Sequence, residues 1–252
     1  MSLFDTFDPD SEEIVKFEYQ RSFHPTEDFP ETVIMTFKEE TFQALEHVCP
    51  TEVIATLREG RDIPVYQLNW NGRSVGIFQT LIGGAGTAGL LEETLAMGAK
   101  KVLLYGACGV LDSALAAGHF ILPTQAYRDE GTSYHYMPVG DYVDIPTAER
   151  LGEIFDQLRL PYVKGRVWTT DAFYRETRNN MEKRKADGCI AVDMECASAM
   201  AVAQFRGAEV YQFLYAEDSL DGAAWDRRTM GAVPASDYEK YLRVALEAAS
   251  RL

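Results

Sequence analysis

The sequence predicts an α/β fold: a single domain with a central mixed, mostly parallel sheet flanked by helices. From Thr32 onward, short apolar runs bounded by glycine or charge alternate with segments of helical periodicity. This alternation favours parallel strand pairing with helices on both faces of the sheet. The 252 residues, 46% of them hydrophobic, are enough for one large core, and no linker or internal repeat divides them. We therefore expect residues 1–252 to form one domain.

The first half of the chain contains a predicted strand–helix–strand series. Strands are expected at residues 75–81 and 101–105, with a helix over 90–98 between them and a further strand at 119–122. The second half repeats this rhythm. Its predicted elements are strands at 189–192 and 209–215, a helix over 196–205, and a final helix from about Asp237.

The two ends of the chain have their own signals. Residues 1–30 are acidic, contain Pro25 and Pro30, and lack an apolar period, which predicts an arm lying over the body. Near the other end, Ser236 is followed three residues later by Glu239, a spacing typical of a helix capping box. The apolar stripe expected behind it consists of Tyr241, Leu242, Ala245, Ala249 and Leu252.

Composition narrows the class of partner. The 39 acidic and 24 basic side chains give a net charge of −15, which would repel nucleic acid and an anionic membrane surface. No stretch approaches the roughly 18 apolar residues of a membrane span. The four cysteines form no C-x-x-C pair and no leader precedes Phe23, so we expect a soluble, cytoplasmic protein with reduced thiols. A small molecule is the expected partner, with neither cofactor nor metal.

A glycine-rich segment follows the first predicted strand. Residues 84–89 have the spacing G-x-G-x-x-G and open a helix, which is the context of a dinucleotide-binding turn. Such a site also needs an acidic residue after the next strand, but Gly106 stands there. Two interpretations remain: a turn whose glycines permit close packing, and an anion-binding turn in which Gly84 helps to hold phosphate. A second glycine turn is expected at residues 106–109.

Acidic residues follow two late strands, at the edge where ligands of open α/β sheets usually bind. Asp193 and Glu195 flank Met194 at the junction of a buried strand and a helix. Carboxylates are costly to bury there unless each finds a donor, and a sugar diol is one such donor. Glu195 equally suits the first turn of a helix, where the macrodipole favours a negative charge.

Asp218 is the second acidic candidate. It follows the strand ending at Tyr215 and precedes residues 219–224, which could fold over a pocket. This position makes it a candidate general acid, although an aspartate here also commonly caps a turn. The enzymatic interpretation depends on Glu195 and Asp218 facing one cavity large enough for a pentose and its attached ring.

Five segments, taken together and in order, resemble the nucleoside phosphorylase family, which includes uridine phosphorylase and the hexameric purine nucleoside phosphorylases. The resemblance runs from about Phe23 to the C-terminus. It implies the fold of that family, a homo-oligomer that is a dimer or a hexamer, and cleavage of the bond between a ribose and a nucleobase. The segments are residues 81–89, 105–111, 128–133, 170–174 and 192–195.

The resemblance also implies which residues contact the sugar. Glu195 is expected to hydrogen-bond the ribose 2′-hydroxyl more strongly as the ribose becomes an oxocarbenium ion, while Met194 packs under the sugar. Asp193 stands beside them where the family often has glutamate. His24 resembles the N-terminal histidine that reaches the 5′-hydroxyl in an adjacent subunit of uridine phosphorylase.

Contacts to the base follow from the same resemblance. Asp218 aligns with the aspartate that purine-cleaving members use to protonate the leaving base at N7, a position at which uridine phosphorylases lack a carboxylate. This favours a purine, but base identity stays open between purine and pyrimidine. The implied base contacts are Cys108 and Gly109 beside the base plane, Phe173 stacked on it, and Thr177 and Arg178 at its edge.

The sequence departs from the family at the phosphate site. The family holds phosphate with a glycine and an arginine early in the chain, and with an arginine and a hydroxyl residue near the second glycine turn. Residues 36–41, Leu104 and Ala107 stand at those places here, without a G-D-P motif. The expected phosphate contacts are Arg61 from a neighbouring subunit, Gly84 and Ala107. Either another cation completes the site, with Arg128, Arg175, Arg178 and Arg227 as candidates, or water is the nucleophile.

The leading hypothesis is a pentosyltransferase of the nucleoside phosphorylase type. It would use phosphate as co-substrate and convert a ribonucleoside into a free base and ribose 1-phosphate. The alternatives are a nucleosidase that uses water, a non-catalytic nucleoside binder, and an NAD-binding oxidoreductase that uses the 84–89 turn. Phosphate dependence of base release separates the first two, and NADH binding would indicate the last.

Overall fold

The computed structural model describes residues 3–16, 28–58 and 60–252. In that part of the chain, ten strands form one mixed sheet, parallel over most of its paired length, and six α-helices flank it. The strands are β1 (Thr32–Thr36), β2 (Glu52–Arg58), β3 (Asp62–Trp70), β4 (Arg73–Gln79), β5 (Lys101–Val110), β6 (Phe120–Asp129), β7 (Tyr142–Asp144), β8 (Tyr162–Thr170), β9 (Cys189–Asp193) and β10 (Glu209–Ser219). The helices are α1 (Glu39–Val48), α2 (Gly84–Met97), α3 (Thr147–Gln157), α4 (Arg178–Ala186), α5 (Cys196–Arg206) and α6 (Ala235–Ala249).

Strand β5 joins the two halves of the sheet because it is paired along both edges. On one edge its first half runs parallel to β1, and its last residues, Gly109 and Val110, pair antiparallel with β9. On the other edge it runs parallel to β10. Strands β6 and β8 connect β10 with β9, so that β5, β10, β6, β8 and β9 form a closed ring. Strands β4, β3 and β2 extend the sheet outward from β1, and β7 pairs with β6.

Two apolar cores lie on the two faces of β5, because successive side chains of a strand point to opposite sides. Val102 and Leu104 belong to the core shared with α2 and α5. Leu103 and Tyr105 belong to the core shared with α3 and α6. Burial on both faces explains why this strand reads as a continuous apolar run rather than an alternating one.

The predicted fold class is confirmed, but two strands run further than the sequence indicated. Strand β5 continues through residues 106–109, which we had assigned to a glycine turn, because those residues pair with β10 and β9. Strand β10 continues to Ser219, so Glu217 and Asp218 lie in the strand and not after it. The helix predicted over 90–98 begins earlier, at Gly84.

The predicted capping box at Ser236 is wrong. Helix α6 begins at Ala235, its N-cap position is Pro234, and no side chain caps it. Ser236 therefore lies inside the first turn, where its hydroxyl is not the capping group. The apolar stripe behind it is buried as expected at Tyr241, Leu242, Ala245 and Ala249.

The described part of the N-terminal arm, residues 3–16, contacts the body at α5. The Phe7 ring packs edge-on against Phe205 with 6.5 Å between centroids, and Glu13 lies 2.8 Å from Arg206. All four cysteines lie in the described part of the chain and each has a free thiol. Within the same residues, no helix combines the length and the apolar composition needed to cross a bilayer.

The first glycine of the 84–89 segment is fixed by packing. A Cβ atom at Gly84 would overlap the Ser198 hydroxyl of α5 and lie 3.1 Å from the Ser198 Cβ. That hydroxyl donates to Glu130 Oε2 at 2.5 Å, so it is held in place. At Gly89, in the same helix, an added Cβ would meet nothing within 4 Å. The glycine at position 84 therefore permits close contact of α2 with α5.

This difference predicts opposite effects of two similar substitutions. Gly84→Ala should lower the free energy of unfolding by about 1–3 kcal/mol, the usual cost of overpacking. Gly89→Ala, its matched control, should raise it by up to about 1 kcal/mol, because alanine favours a helix over glycine. Urea denaturation of both variants measures the difference. Equal effects would mean that the contact with Ser198 relaxes without cost.

Candidate active site

A cavity of about 230 Å³ lies at the carboxyl ends of four strands, the edge at which ligands of α/β sheets bind. Residues 37–38 after β1, 107–109 of β5, 192–195 at the end of β9, and Glu217 and Asp218 of β10 all line it. The cavity therefore brings Glu195 and Asp218 together. A larger groove of about 400 Å³ lies beside β6 and α6 and contains none of the predicted site residues.

Glu195 is buried in the wall of this cavity, immediately before α5. Its Oε1 accepts a hydrogen bond from the backbone N–H of Gly83 at 2.7 Å, and its Oε2 accepts one from Met194 at 3.3 Å. Gly83 has a φ of 94°, a conformation that glycine adopts without strain. Burial raises the pKa of Glu195, and the nearby charge of Asp193 raises it further. Each oxygen is fixed in direction and keeps a lone pair for a ligand hydroxyl.

Asp193 also borders the cavity, but its carboxylate is occupied by protein donors. Oδ1 accepts from the Thr169 hydroxyl at 2.7 Å, and Oδ2 accepts from the backbone N–H of Cys196 at 2.7 Å and of Glu195 at 3.3 Å. Burial raises the pKa of Asp193, and these hydrogen bonds oppose the rise. Asp193 therefore holds the start of α5 beside Glu195, and its expected ribose contact stays a prediction.

Asp218 is half-buried on β10, opposite Gly109 in the strand register. Its Oδ2 accepts a hydrogen bond from the indole N–H of Trp225 at 2.6 Å. Burial raises the pKa of Asp218 and the indole hydrogen bond lowers it, with a net rise. The carboxyl group thus keeps its proton to a higher pH than an exposed aspartate does, which suits a general acid.

The residues expected beside a base line the same cavity. A Cβ atom at Gly109 would lie 2.7 Å from Leu220 Cδ1, so a side chain there would close part of the space. The Cys108 thiol is buried and donates to the Tyr215 carbonyl at 3.6 Å. Phe173 is 41% exposed, which leaves an aromatic face available to a ligand. Ala107 and Met194 also contribute to the lining.

Three charged residues of the cavity were missed by the sequence analysis. Glu217 is 3% exposed, and its Oε2 lies 3.8 Å from the Nζ of Lys38. Burial raises the pKa of Glu176 to about 7, with Asp218 adding to the rise. Lys38 and Glu176 lie in loops without a motif. Glu217 was visible beside Asp218, but strand alternation would place adjacent side chains on opposite faces.

Two residues expected at the base edge have other partners. Thr177 is the N-cap of α4, where its hydroxyl accepts from the backbone N–H of Asn180 at 3.4 Å. Arg178 donates to the carbonyls of Gly222 and Ala223 at 2.7 and 2.9 Å. Neither belongs to the described lining of the cavity. Arg178 therefore ties the loop after β10 to α4, outside the described lining of the cavity.

The predicted phosphate contacts are dispersed. Gly84 packs against Ser198 outside the cavity, and Arg61 is exposed in a separate groove that Tyr66 also lines. Ala107 lines the cavity but offers no hydroxyl. The ribose contact expected from His24 lies outside the described residues. The candidate cations Arg128, Arg175, Arg178 and Arg227 are all absent from the described lining.

Arg128 shows why a nearby arginine does not complete an anion site. Its Nε donates to the Ser133 hydroxyl at 2.8 Å, and its Nη1 donates to the Pro138 carbonyl at 2.7 Å. The guanidinium also lies 4.1 Å from the centre of the Tyr134 ring. The buried guanidinium is therefore used to hold the segment after β6. Among the described lining residues, Lys38 is the one cation, beside five carboxylates at Glu176, Asp193, Glu195, Glu217 and Asp218.

Sequence comparison places this architecture among known proteins. A sequence model of the phosphorylase superfamily matches residues 31–252. The guanosine phosphorylase of Halorubrum lacusprofundi is 28% identical over 153 residues, which cover 59% of this chain and 63% of that protein. The uridine phosphorylase of Thermococcus kodakarensis is 31% identical over 117 residues, which cover 45% and 42%. The matched stretches thus span less than two thirds of these relatives.

Solved structures share the fold. A purine nucleoside phosphorylase from Toxoplasma gondii, in complex with immucillin-H, superimposes with a TM-score of 0.76 at 21% identity, over 89% of this chain and 92% of that one. An AMP nucleosidase from Bacteroides thetaiotaomicron gives 0.72 at 19% identity, over 93% and 96%. A futalosine hydrolase of Helicobacter pylori gives 0.72 at 15% identity, over 89% and 99%.

The fold is therefore one shared by proteins named as phosphorylases, as a hydrolase and as a nucleosidase. Because the superfamily model matches the chain from Glu31 to its last residue, this chain belongs to the phosphorylase superfamily. The resemblance drawn from the five sequence segments is confirmed.

The raised pKa of Glu195 predicts how stability depends on pH. The folded protein holds this proton more tightly than the unfolded chain, whose glutamate has the ordinary value of 4.5. The resulting stability is present at acidic pH and is lost as pH rises through the folded pKa. Glu195→Gln removes the titration, so the fall in unfolding free energy above about pH 4.5 should become shallower.

Urea denaturation across this pH range measures the effect. Glu46→Gln, which changes an exposed glutamate of α1, is the control and should leave the wild-type slope unchanged. An unaltered slope in Glu195→Gln would show that the buried carboxyl does not hold its proton.

Proposed function

We propose that this chain cleaves the N-glycosidic bond of a purine ribonucleoside and that water is the attacking nucleophile. The observation that carries the proposal is the joint presence of Glu195 and Asp218 in a cavity of predominantly acidic character. The family relationship supports glycosidic chemistry, and the charges of the cavity support the choice of water. The base and the nucleophile are the two parts that need testing.

In this proposal, Glu195 contacts the ribose. Its carboxyl is held by Gly83 and Met194, so it does not need to reorient when a hydroxyl arrives. As the bond to the base breaks, the ribose gains positive charge, and a preorganised acceptor stabilises that charge more than it stabilises the neutral substrate. Met194, adjacent to it, supplies an apolar contact under the sugar.

In this proposal, Asp218 protonates the leaving base. A purine leaves more readily when N7 is protonated, and the raised pKa of Asp218 makes a proton available. Cys108, Gly109 and Phe173 leave an apolar space for a planar ring. The position of Asp218 therefore supports a purine over a pyrimidine.

Water suits the cavity better than phosphate does. A phosphate dianion needs charge-assisted hydrogen bonds, usually from arginine, and it would meet the carboxylate of Glu217. Lys38, the one described cation of the lining, already lies 3.8 Å from Glu217. The negative charge of Glu217 that repels phosphate also attracts a cationic sugar.

Phosphorolysis, our first hypothesis, is the second candidate. It is favoured by the relatives named as guanosine and uridine phosphorylases. In this alternative, assembly into a dimer or hexamer would bring Arg61 and His24 of a neighbouring subunit to the cavity, as the resemblance implies. Phosphate would then gain a cation that a single chain lacks.

The nucleophile is tested by omitting phosphate. A panel of purine and pyrimidine ribonucleosides is incubated with the protein in phosphate-free buffer and in buffer with phosphate, and free base and sugar products are separated by chromatography. We expect purine release at equal rates in both buffers, with ribose as the product. Release that requires phosphate and yields ribose 1-phosphate would establish the second candidate instead.

The roles of the two acidic residues are separated by the leaving group. Asp218→Asn should slow release of a purine by roughly 100-fold or more, since it removes the proton donor. It should slow release of p-nitrophenol from a ribosyl substrate far less, because that leaving group needs no proton. Glu195→Ala should slow both substrates, since the sugar is common to them. Equal losses on both substrates in Asp218→Asn would contradict its role as general acid.

A further inference from the structure

Glu217 and Asp218 line the same cavity although they are adjacent in a strand. Between Ala216 and Asp218 the pairing of β10 with β5 shifts register, which leaves Glu217 as the unpaired residue of a β-bulge. A bulge rotates the strand locally and so allows two consecutive side chains to reach one side. The bulge therefore adds a second carboxylate beside the candidate general acid.

The carboxylate of Glu217 is buried but not satisfied. The residue is 3% exposed, and its Oε1 has no hydrogen-bond partner among the described residues. Its Oε2 lies 3.8 Å from Lys38 Nζ, which is an ion pair and too long for a hydrogen bond. A buried acceptor without a donor is costly, and native proteins usually supply a protein group or a water. Since Glu217 lines the cavity, a donor that enters the cavity can reach it.

The surroundings of Glu217 decide its charge. Burial raises the pKa of Glu217, Lys38 lowers it and Asp218 raises it, with a net rise. Burial likewise raises the pKa of Asp218, and the Trp225 hydrogen bond and the charge of Arg228 oppose that rise. The ammonium group of Lys38, 3.8 Å from Glu217 Oε2, therefore opposes the effect of burial and favours the ionised form of Glu217. The titratable groups around Glu217 are Lys38 and Glu40 at α1, Cys108 on β5, Tyr215 and Asp218 on β10, and Tyr238 and Tyr241 on α6.

We propose that Glu217 is the general base of the reaction and that Lys38 positions it and favours its ionised form. The proposal rests on the proposed function, hydrolysis of a ribonucleoside. Glu217 Oε1 accepts a proton from water as the water oxygen forms a bond to C1′ of the ribose. The bond from C1′ to the base breaks, and the base takes a proton from Asp218. The proton on Glu217 then returns to Asp218 through solvent, so the net reaction adds one water.

A purely structural ion pair explains the geometry less well. Such a pair stabilises a fold when both carboxylate oxygens are hydrogen-bonded, because burial of an unsatisfied charge opposes folding. Asp193, in the same cavity wall, shows the structural pattern with both oxygens occupied by donors at 2.7 Å. Among the described residues, neither carboxylate oxygen of Glu217 accepts such a hydrogen bond. The contrast assigns Asp193 to structure and Glu217 to chemistry.

The test uses the full chain and a purine ribonucleoside that the wild-type protein cleaves. Glu217→Gln keeps the shape of the side chain and removes the base, so kcat should fall roughly 100-fold or more while KM changes little. Glu217→Ala with added sodium azide should recover base release and yield ribosyl azide, detected by mass spectrometry. Azide is already an anion and attacks C1′ without a base. Glu40→Gln, which removes an exposed carboxylate near Glu217, is the matched control and should retain wild-type kcat.

Lys38→Met supplies a second measurement in which Glu217 itself is not substituted. Without the ammonium group, the pKa of Glu217 should rise, so the acidic limb of the kcat profile should move to higher pH. This test stands even if the Glu217 variants fail to fold.

Two failures are distinguishable. If the wild-type protein releases base but Glu217→Gln keeps kcat within twofold, or the acidic limb in Lys38→Met does not move, the role of Glu217 is wrong and the proposed function stands. If the wild-type protein releases no base from any nucleoside without phosphate, the proposed function itself fails.

Discussion

The pairing of β5 with three other strands is the constraint on which this structure depends. Its first half lies between β1 and β10, and its last residues lie between β9 and β10. Because β1, β5 and β10 run parallel, their carboxyl ends meet at one edge, and the end of β9 meets them through Gly109 and Val192. Every group assigned to chemistry comes from these ends. Loss of this pairing would separate Asp218 from Glu195 without changing either side chain.

The sequence predicted the fold class and several members of the site, for identifiable reasons. Apolar runs predicted the buried strands. The acidic residues near the ends of these strands were candidates for the site because carboxylates are rare beside a core. What it did not predict depends on contacts distant in sequence. Residues 106–109 have a glycine-rich composition typical of a turn, but pairing with β10 keeps them extended. The bulge at Glu217 arises in the same pairing, and no local sequence pattern predicts it.

The site residues that the sequence misplaced share another cause. Thr177 and Arg178 were assigned by alignment to a family pattern, whereas their side chains cap α4 and hold the loop after β10. Gly84 fits a phosphate-binding spacing, yet close contact with Ser198 accounts for it. The spacing of glycines indicates where a backbone bends or closely approaches a neighbour. The spacing does not indicate whether that neighbour is a ligand or another helix.

The hydrogen bond from Trp225 to Asp218 makes the direction of this carboxyl depend on a loop. The indole is 59% exposed, on the loop tethered by Arg178, and it donates to the same carboxyl that a departing base would use. Trp225 therefore fixes the direction of the Asp218 carboxyl and links it to the loop that Arg178 holds, so a substitution that frees this loop would also free the acidic side chain.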